Sequence, residues 1–333
     1  MRAVVLVGGF GTRLRPLTSS TPKQMLPING EPMIERVLHS LAAHGVTEAV
    51  LSLGYRPDAF MDAYPDGTCG GVELHYAVEP EPLDTAGAVR FAAISAGIDD
   101  TFIVVNGDVL TDLDVAALWS FHRGHGAEGT IALTPVDDPS RYGVVPIDAD
   151  GRVIEFVEKP DPGTAPTNWI NAGTYVLEPT VLDRIDADRR VSIERETFPA
   201  MVESGSLYAL HSDAYWLDAG TPETYLRAQL DLIDGTRGAE PAVHHSAEID
   251  SSARVEHSVI MGDVVIGNGA VVRDSVVLAG ATIGPGVRID TSIIGSGTRV
   301  GPDSTIDGLT VIAGDRVIPP RTELHGARIP EES

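Results

Sequence analysis

Three consecutive stretches near the C-terminus superpose without a gap: SVIMGDVVIGNGAVVRD (258–274), SVVLAGATIGPGVRIDT (275–291) and SIIGSGTRVGPDSTIDG (292–308). Ser258, Ser275 and Ser292 open the units at a spacing of 17, and Ile266-Gly267, Ile283-Gly284 and Val300-Gly301 fall in one register. Small aliphatic residues recur about every six positions, with Gly, Asn, Asp or Pro between them. A unit this short cannot hold a pair of helices. It fits one coil of a β-helix, each coil stacking its aliphatics on its neighbour's. A sandwich of short strands is the plainer alternative, but a sandwich needs no fixed repeat. The repeat places a solenoid over residues 247–325, followed by a C-terminal tail over 326–333.

The first 235 residues follow a different period. Ala3–Val7, Ala49–Leu53, Val72–Val78, Phe102–Val105 and Gly129–Leu133 read as strands, while Pro32–Ala43, Thr85–Ala96, Asp114–His122 and Pro222–Ile233 read as helices. That alternation predicts an α/β domain over 1–235 with a mixed, mainly parallel, Rossmann-like sheet flanked by helices. The junction DGTRGAEPAVHHSAEID is rich in Gly, His and small polar residues, which marks a linker at 236–246. Adjacent His244 and His245 there suggest a solvated surface more than a metal site. Trp119 and Trp216 suit packing, whereas Trp169 stays open between packing and ligand contact.

Charge narrows the partners. A formal net charge of −24 on 333 residues repels nucleic acid and anionic membrane, and no local basic patch offsets it. A phosphorylated substrate must then be received by a few local cations, backbone N–H groups or a metal ion. The single cysteine, Cys69, excludes an intrachain disulfide and a Cys-rich zinc site. The N-terminal MRAVVLVGG has no long apolar segment, and no run approaches the roughly 18 apolar residues of a membrane span. The expected location is cytoplasmic.

The first strand runs into VLVGGFGTRLRPLTSSTPKQMLPI. Its glycines lack both the G-x-G-x-x-G spacing and a closing G-K-[ST], so it is neither a dinucleotide fingerprint nor a Walker A loop. Gly8, Gly9 and Gly11 permit tight turning and close approach of the backbone to a ligand. Arg13 offers a rigid fork for phosphate oxygens and Lys23 a compact mobile charge. On spacing alone, a glycine turn carrying a solvated Arg/Lys face remains open. Two carboxylates add to the pattern: Asp108 follows VVNG at a strand end, and Asp218 in WLDAGTPE precedes a helix. Either could be a simple turn or capping residue. Beside a phosphate loop, both could hold Mg²⁺, which takes oxygen ligands and usually sits between a few carboxylates and substrate phosphates.

The stretch GGFGTRLRPLTSSTPKQMLPI, with EPEPLDTAG, NGD, VEKP, INAGTYV and WLDAGTPE, resembles the sugar-1-phosphate nucleotidyltransferases over almost the whole chain. The similarity is greatest to those members that carry a C-terminal left-handed β-helix and join GTP to mannose 1-phosphate. The resemblance implies that the sugar phosphate attacks the α-phosphorus of the nucleoside triphosphate, releasing pyrophosphate and giving GDP-mannose. It implies that Gly8 and Gly9 approach the nucleotide, and that Gly11, Thr12 and Arg13 wrap its phosphates. Arg13 would hold the departing pyrophosphate, Lys23 would lie against the α-phosphate, and Asp108 and Asp218 would hold Mg²⁺. Fixed cations and N–H donors suit a reaction in which negative charge develops on a transferring phosphoryl group.

The resemblance also implies that Glu79 reads the base, with Asp84 and Thr85 as the following contact segment. A carboxylate only accepts hydrogen bonds, which matches the N1–H and N2–H donors of guanine. Glu81 is an alternative reader, or a solvated charge. Many relatives have Gly in the place of Asp84, which leaves base identity less determined than reaction type. For the sugar phosphate the implied residues are Gly143, Glu158, Lys159 and Asn171. Terminal coils with unpaired edges and open apolar ends must be capped by the catalytic domain or another subunit, and a homo-oligomer formed through or with the β-helix is expected. Three other readings stay in view. One is a glucose-1-phosphate nucleotidyltransferase using dTTP, UTP or ATP. Another is a second, acyltransferase activity on the β-helix, for which His257 and His325 are unconvincing candidates. The third is a non-catalytic sensor of nucleotide sugars, which would have no need of the full charge set.

Overall fold

A computed structural model describes residues 1–187 and 189–330. The chain forms two compact units, one of Met1–Gly9 with Ile34–Trp216 and one of Phe10–Met33 with Leu217–Ser333.

In the first unit the strands and helices run in the order β1 (Arg2–Leu6), α1 (Met33–Ala43), β2 (Glu48–Leu53), α2 (Pro57–Ala63), β3 (Val72–Val78), α3 (Asp84–Ser95), β4 (Phe102–Asn106), α4 (Val115–His125), β5 (Gly129–Pro135), β6 (Trp169–Leu177), α5 (Phe198–Glu203) and β7 (Leu207–His211). A parallel set β4-β1-β2-β3 forms the middle of the sheet, with β6 antiparallel on β4 and β5 antiparallel on β6. This is the mixed, mainly parallel Rossmann-like sheet expected from the alternating pattern. Strands β1, β2 and β4 are apolar and buried nearly throughout, as strands covered on both faces must be. Their Val4, Val50 and Val104 share a core with Ala86, Val89, Ala92 and Ala93 of α3.

Strand order reverses at β1, which has β2 on one side and β4 on the other. Ligands of open α/β sheets bind beyond the carboxyl ends of the strands at such a reversal. The glycine loop leaves β1 there, and Asn106-Gly107-Asp108 leaves β4 beside it, with Gly107 N–H donating to Leu6 O at 2.9 Å. The sequence pattern did not disclose α2, β6 or β7. Strand β6 is also broken by a register shift between Asn171 and Tyr175, which interrupts its alternation.

The second unit contains α6 (Pro222–Leu230) and the C-terminal stack. The stack is a left-handed β-helix of three parallel sheets, each five strands deep. Its ladders follow the repeat read from the sequence, Val259 on Val276 on Ile293 and Ile266 on Ile283 on Val300. The interior holds Ile266, Ile283, Val272, Ile289 and Ile294, all nearly inaccessible.

The serines that mark the repeat have a structural reason. Ser258, Ser275 and Ser292 are buried, and each hydroxyl donates to the carbonyl two residues before it. The Ser258 oxygen then accepts the N–H of Ser275 at 3.1 Å, and the Ser275 oxygen that of Ser292 at 3.0 Å. The corners at Ser275 and Ser292, otherwise left with an unmet buried N–H, are thereby satisfied.

The next coil departs from the period, because Ile293 pairs with Val311. The extra residue sits in the corner Asp307-Gly308-Leu309-Thr310, where Gly308 and Leu309 both take positive φ. Thr310 replaces the serine and accepts the N–H of Ala327 at 3.0 Å. Arg328–Ile329, in the expected tail, pairs with Val311–Ile312 as a further strand. Residues 331–333 of that tail lie outside the described residues.

Replacing Ser275 by Ala should cost about 1–3 kcal/mol, because the buried N–H of Ser292 loses its acceptor. Replacing Thr282, exposed on the same coil, should cost no more than about 0.5 kcal/mol. Denaturant unfolding of the two variants checks the difference, and equal midpoints would remove the serine ladder from the stability of the stack.

Candidate active site

The loop that follows Gly9 is held by its own apolar residues. Leu14, Leu17, Leu26 and Ile28 are buried, while short turns at Thr12–Leu14, Leu17–Ser19 and Lys23–Met25 lie between them. Gly11 opens the first turn at φ 61, and its carbonyl accepts the Thr18 hydroxyl at 2.7 Å. A Cβ on Gly11 would stand 3.1 Å from the Cβ of Lys23. The left-handed backbone and the close packing both call for glycine here. The return to apolar residues after the cations is therefore what anchors the loop.

Those anchors bring three sequence-predicted residues together. Lys23 is only 4% exposed, and its Nζ stands 3.5 Å from Asp218 Oδ1. Arg13, largely exposed, reaches Asp218 Oδ2 at 4.0 Å. Asp218 comes from the segment before α6, whose N-terminus is fixed by a reciprocal capping box between Thr221 and Thr224, with Pro222 in the first turn.

Gly220 packs directly against this group. A Cβ there would lie 2.7 Å from Asp218 Oδ1, 2.8 Å from Arg13 Nη2 and 3.0 Å from Lys23 Nζ. Sequence reasoning passed over Gly220, although D-A-G-T-P placed it one residue before the helix cap. The absence of a side chain at Gly220 lets two cations and a carboxylate stand close to one another. Among the described residues no three His, Cys, Asp or Glu side chains gather as an all-protein metal site. A hard cation held by one or two carboxylates and substrate phosphates requires none.

The first unit carries the remaining candidates. Asp108 is half-buried in the turn after β4. Glu79 follows β3 and borders Gly8, where a Cβ would stand 3.2 Å from its Oε1. Its Oε1 accepts the Ser52 hydroxyl at 3.0 Å and its Oε2 accepts the Leu83 N–H at 3.1 Å. The carboxylate is thus oriented from both sides, and Ser52, buried in β2, is the orienting residue that the motif did not reveal.

Asp84 takes φ 63, a left-handed conformation that glycine favours. An aspartate tolerates it, here with Oδ1 accepting the Thr85 N–H at 2.9 Å. Thr85 has an internal role: its hydroxyl donates to Glu194 at 2.7 Å and accepts the Ile193 N–H at 2.8 Å. Glu81 is exposed.

Cross-strand pairing gathers the sugar-phosphate candidates. Gly143 pairs with Glu158, and the adjacent Val144 pairs with Ile170, the neighbour of Asn171. Lys159, at φ 51, places its ammonium 3.1 Å from Glu158. The Asn171 amide donates to Tyr175 and accepts the Gly173 N–H, both at 2.9 Å, so part of its capacity shapes the bulge of β6. Trp169 stacks on His211 with ring centroids 3.9 Å apart. Trp216 donates to Ala172 O at 2.8 Å, the packing role its sequence context suggested.

Known proteins match both halves of the chain. A nucleotidyl transferase model matches residues 2–235, and a GMPPB C-terminal domain model matches residues 239–331. A mannose-1-phosphate guanylyltransferase of Mycobacterium tuberculosis is 42% identical over 272 residues, 80% of this chain and 75% of the relative. A mannose-1-phosphate guanyltransferase of Emericella nidulans is 46% identical over 232 residues, 68% of this chain and 62% of the relative, which is under two thirds of its length. The crystal structure of HddC from Yersinia pseudotuberculosis is 33% identical with a TM-score of 0.60, covering 68% of this chain and 97% of its own. The same protein complexed with GMP-PN matches with a TM-score of 0.59. A glycine loop leaving β1, cations gathered on Asp218, and a family match through residue 235 lead to one assignment: the chain belongs to the nucleotidyl transferase family.

Proposed function

We propose that the protein joins GTP and mannose 1-phosphate into GDP-mannose and pyrophosphate, and the observation that carries this reading is the Arg13–Lys23–Asp218 group around Gly220. In the reaction a phosphate oxygen of the sugar 1-phosphate forms a bond to the α-phosphorus of GTP as the bond to the β-phosphate oxygen breaks. The attacking oxygen is already ionised, so no side chain need act as nucleophile. Gly8 and Gly9 approach the nucleotide, and Gly11 and Thr12 wrap its phosphates together with Arg13. Arg13, largely exposed, holds the departing pyrophosphate, and Lys23, buried, faces the α-phosphate. Charge that develops during transfer meets cations already in place.

Enzymes of this family generally use a divalent metal, and we assign Mg²⁺ here with Asp108 and Asp218 each proposed as an oxygen ligand. When bound, it would screen the repulsion between two polyanionic substrates and orient the α-phosphate. Glu79, already oriented by Ser52 and Leu83, accepts hydrogen bonds from guanine, with Asp84 and Thr85 shaping the loop beside it. Glu158 and Asn171 take sugar hydroxyls beside Gly143, and Lys159 takes the sugar phosphate. On this reading residues 1–235 are the catalytic domain, 236–246 the linker and the residues from 247 through the Arg328–Ile329 strand the β-helix, which assembles a cytoplasmic homo-oligomer. No helix of the described residues is long and apolar enough to cross a membrane.

Pyrophosphate release should be greatest for GTP with mannose 1-phosphate in a matrix of four nucleoside triphosphates against mannose and glucose 1-phosphates. A preference for dTTP, UTP or ATP with glucose 1-phosphate would replace this assignment by the glucose reading. Lys23→Ala should lower kcat/KM at least about 10²-fold with little change in Tm, and a variant within threefold of the parent would remove Lys23 from the mechanism. Gly220→Ala should also cost about 10²-fold, because the added methyl displaces all three charged groups. Circular dichroism of that variant should stay native, and parental kcat would refute this role of Gly220.

Glu79→Gln is expected to act on base choice alone. The new amide can accept from Leu83 N–H and turn its NH₂ toward the Ser52 hydroxyl, so the loop keeps its supports. It loses one acceptor for guanine, at a cost of about 1–3 kcal/mol against GTP. The ratio of kcat/KM for GTP and dTTP reports this directly, and an unchanged ratio would transfer base reading to Glu81 or the backbone near Asp84.

A further inference from the structure

Beyond Lys23 the catalytic loop turns through a two-stranded hairpin, Pro27–Ile28 against Glu31–Pro32. Asn29 and Gly30 occupy the turn at φ 48 and 88, the Asn-Gly pattern of a type I′ hairpin. Helix α6 grips this hairpin with two wholly buried side chains, Tyr225 and Gln229. The carbonyl of Pro27 accepts the Tyr225 hydroxyl at 2.5 Å and the Gln229 amide at 2.7 Å, while Gln229 Oε1 accepts the Asn29 N–H at 2.6 Å. From there the path to Lys23 is short: Met33 N–H donates to Leu26 O, and Leu26 N–H donates to Lys23 O.

The segment after α6 closes the other side. Arg237 N–H donates to Asp231 O and Glu240 N–H to Leu232 O, both at 2.8 Å, so the chain doubles back on the end of the helix. The Asn29 amide then donates to Glu240 Oε2 at 2.8 Å and to Pro241 O at 3.4 Å. Immediately beyond, Ile260 N–H donates to Ala242 O, which ties the segment to the first coils of the β-helix.

We propose that Asn29 is a positioning residue for the transfer reaction, and that its amide bond to Glu240 makes the junction before the β-helix a brace for the loop that carries Lys23. The inference rests on the functional reading above. It gives the junction a part in catalysis that a simple spacer would not have. Lys23 must hold its place to better than about 1 Å for the cluster with Asp218 and Gly220 to work, and Asn29 is where both braces meet.

The test exploits hydrogen-bond polarity. Asn29→Asp keeps a residue that tolerates the left-handed turn but removes both donors and sets a carboxylate against Glu240. Glu240→Gln alone still offers an acceptor to Asn29. The double variant restores the bond in reverse, with the amide introduced by Glu240→Gln donating to the carboxylate introduced by Asn29→Asp. We expect Asn29→Asp to lower kcat/KM about tenfold, mostly in kcat, with Tm nearly unchanged. Glu240→Gln should stay within about threefold, and the double variant should recover to within about threefold of the parent. Amide exchange at Leu26 and Asn29 should speed up in Asn29→Asp and slow again in the double variant.

Asn29→Asp within twofold of the parent, or a double variant no better than Asn29→Asp, would overturn the proposal. Activity is read with whichever substrate pair the parent turns over. If the parent turned over none, the functional reading would fail by itself, and amide exchange would still decide the brace: unchanged protection at Leu26 and Asn29 would refute it.

Discussion

An ammonium group kept nearly out of solvent needs a nearby counter-charge and a backbone that cannot drift, because isolated buried charge is costly. Lys23 and Asp218 meet that need across 195 positions of sequence. Most of what surrounds them in the second unit serves the pair. Buried leucines seat the loop, the Thr221 cap fixes the segment carrying Asp218, and Gly220 leaves the room in which the charges face one another. The same helix that begins beside Asp218 grips the hairpin beyond Lys23. One rigid rod of nine residues therefore sets both partners.

At 3.5 and 4.0 Å the contacts of Lys23 and Arg13 to Asp218 are longer than charge-assisted hydrogen bonds, which fall near about 2.7–2.9 Å.

Much of this was legible from residue order. The parallel strands announced themselves as short apolar runs, and the 17-residue repeat set the register of the solenoid, because both signals are local. The motif residues also pointed to Arg13, Lys23 and Asp218 before any geometry was known. What escaped depended on distant partners. Helix α2 is seven residues opening with Pro57, too short for a periodic signal. Strand β6 hides behind a bulge whose bonds involve Asn171, Gly173 and Tyr175. The roles of Ser52, Tyr225 and Gln229 are set by groups tens to hundreds of positions away, and Gly220 meets distant Arg13 and Lys23 as well as nearby Asp218. The motif suggests Thr85 as a ligand contact, but nothing local shows that its hydroxyl also ties α3 to the segment around Glu194.

The corner at Asp307–Thr310 has an implication for how such a chain can change. Strands on either side of it stay in register even though that coil is one residue longer than those before it. A single insertion inside a strand would turn every later aliphatic outward, since side chains alternate faces. At a corner the same insertion leaves each ladder aligned. Length variation in this solenoid therefore has two permitted forms, whole coils and corner residues. A comparison of lineages should find gaps gathered at the corners, with the strands between them constant in length as rigid cassettes.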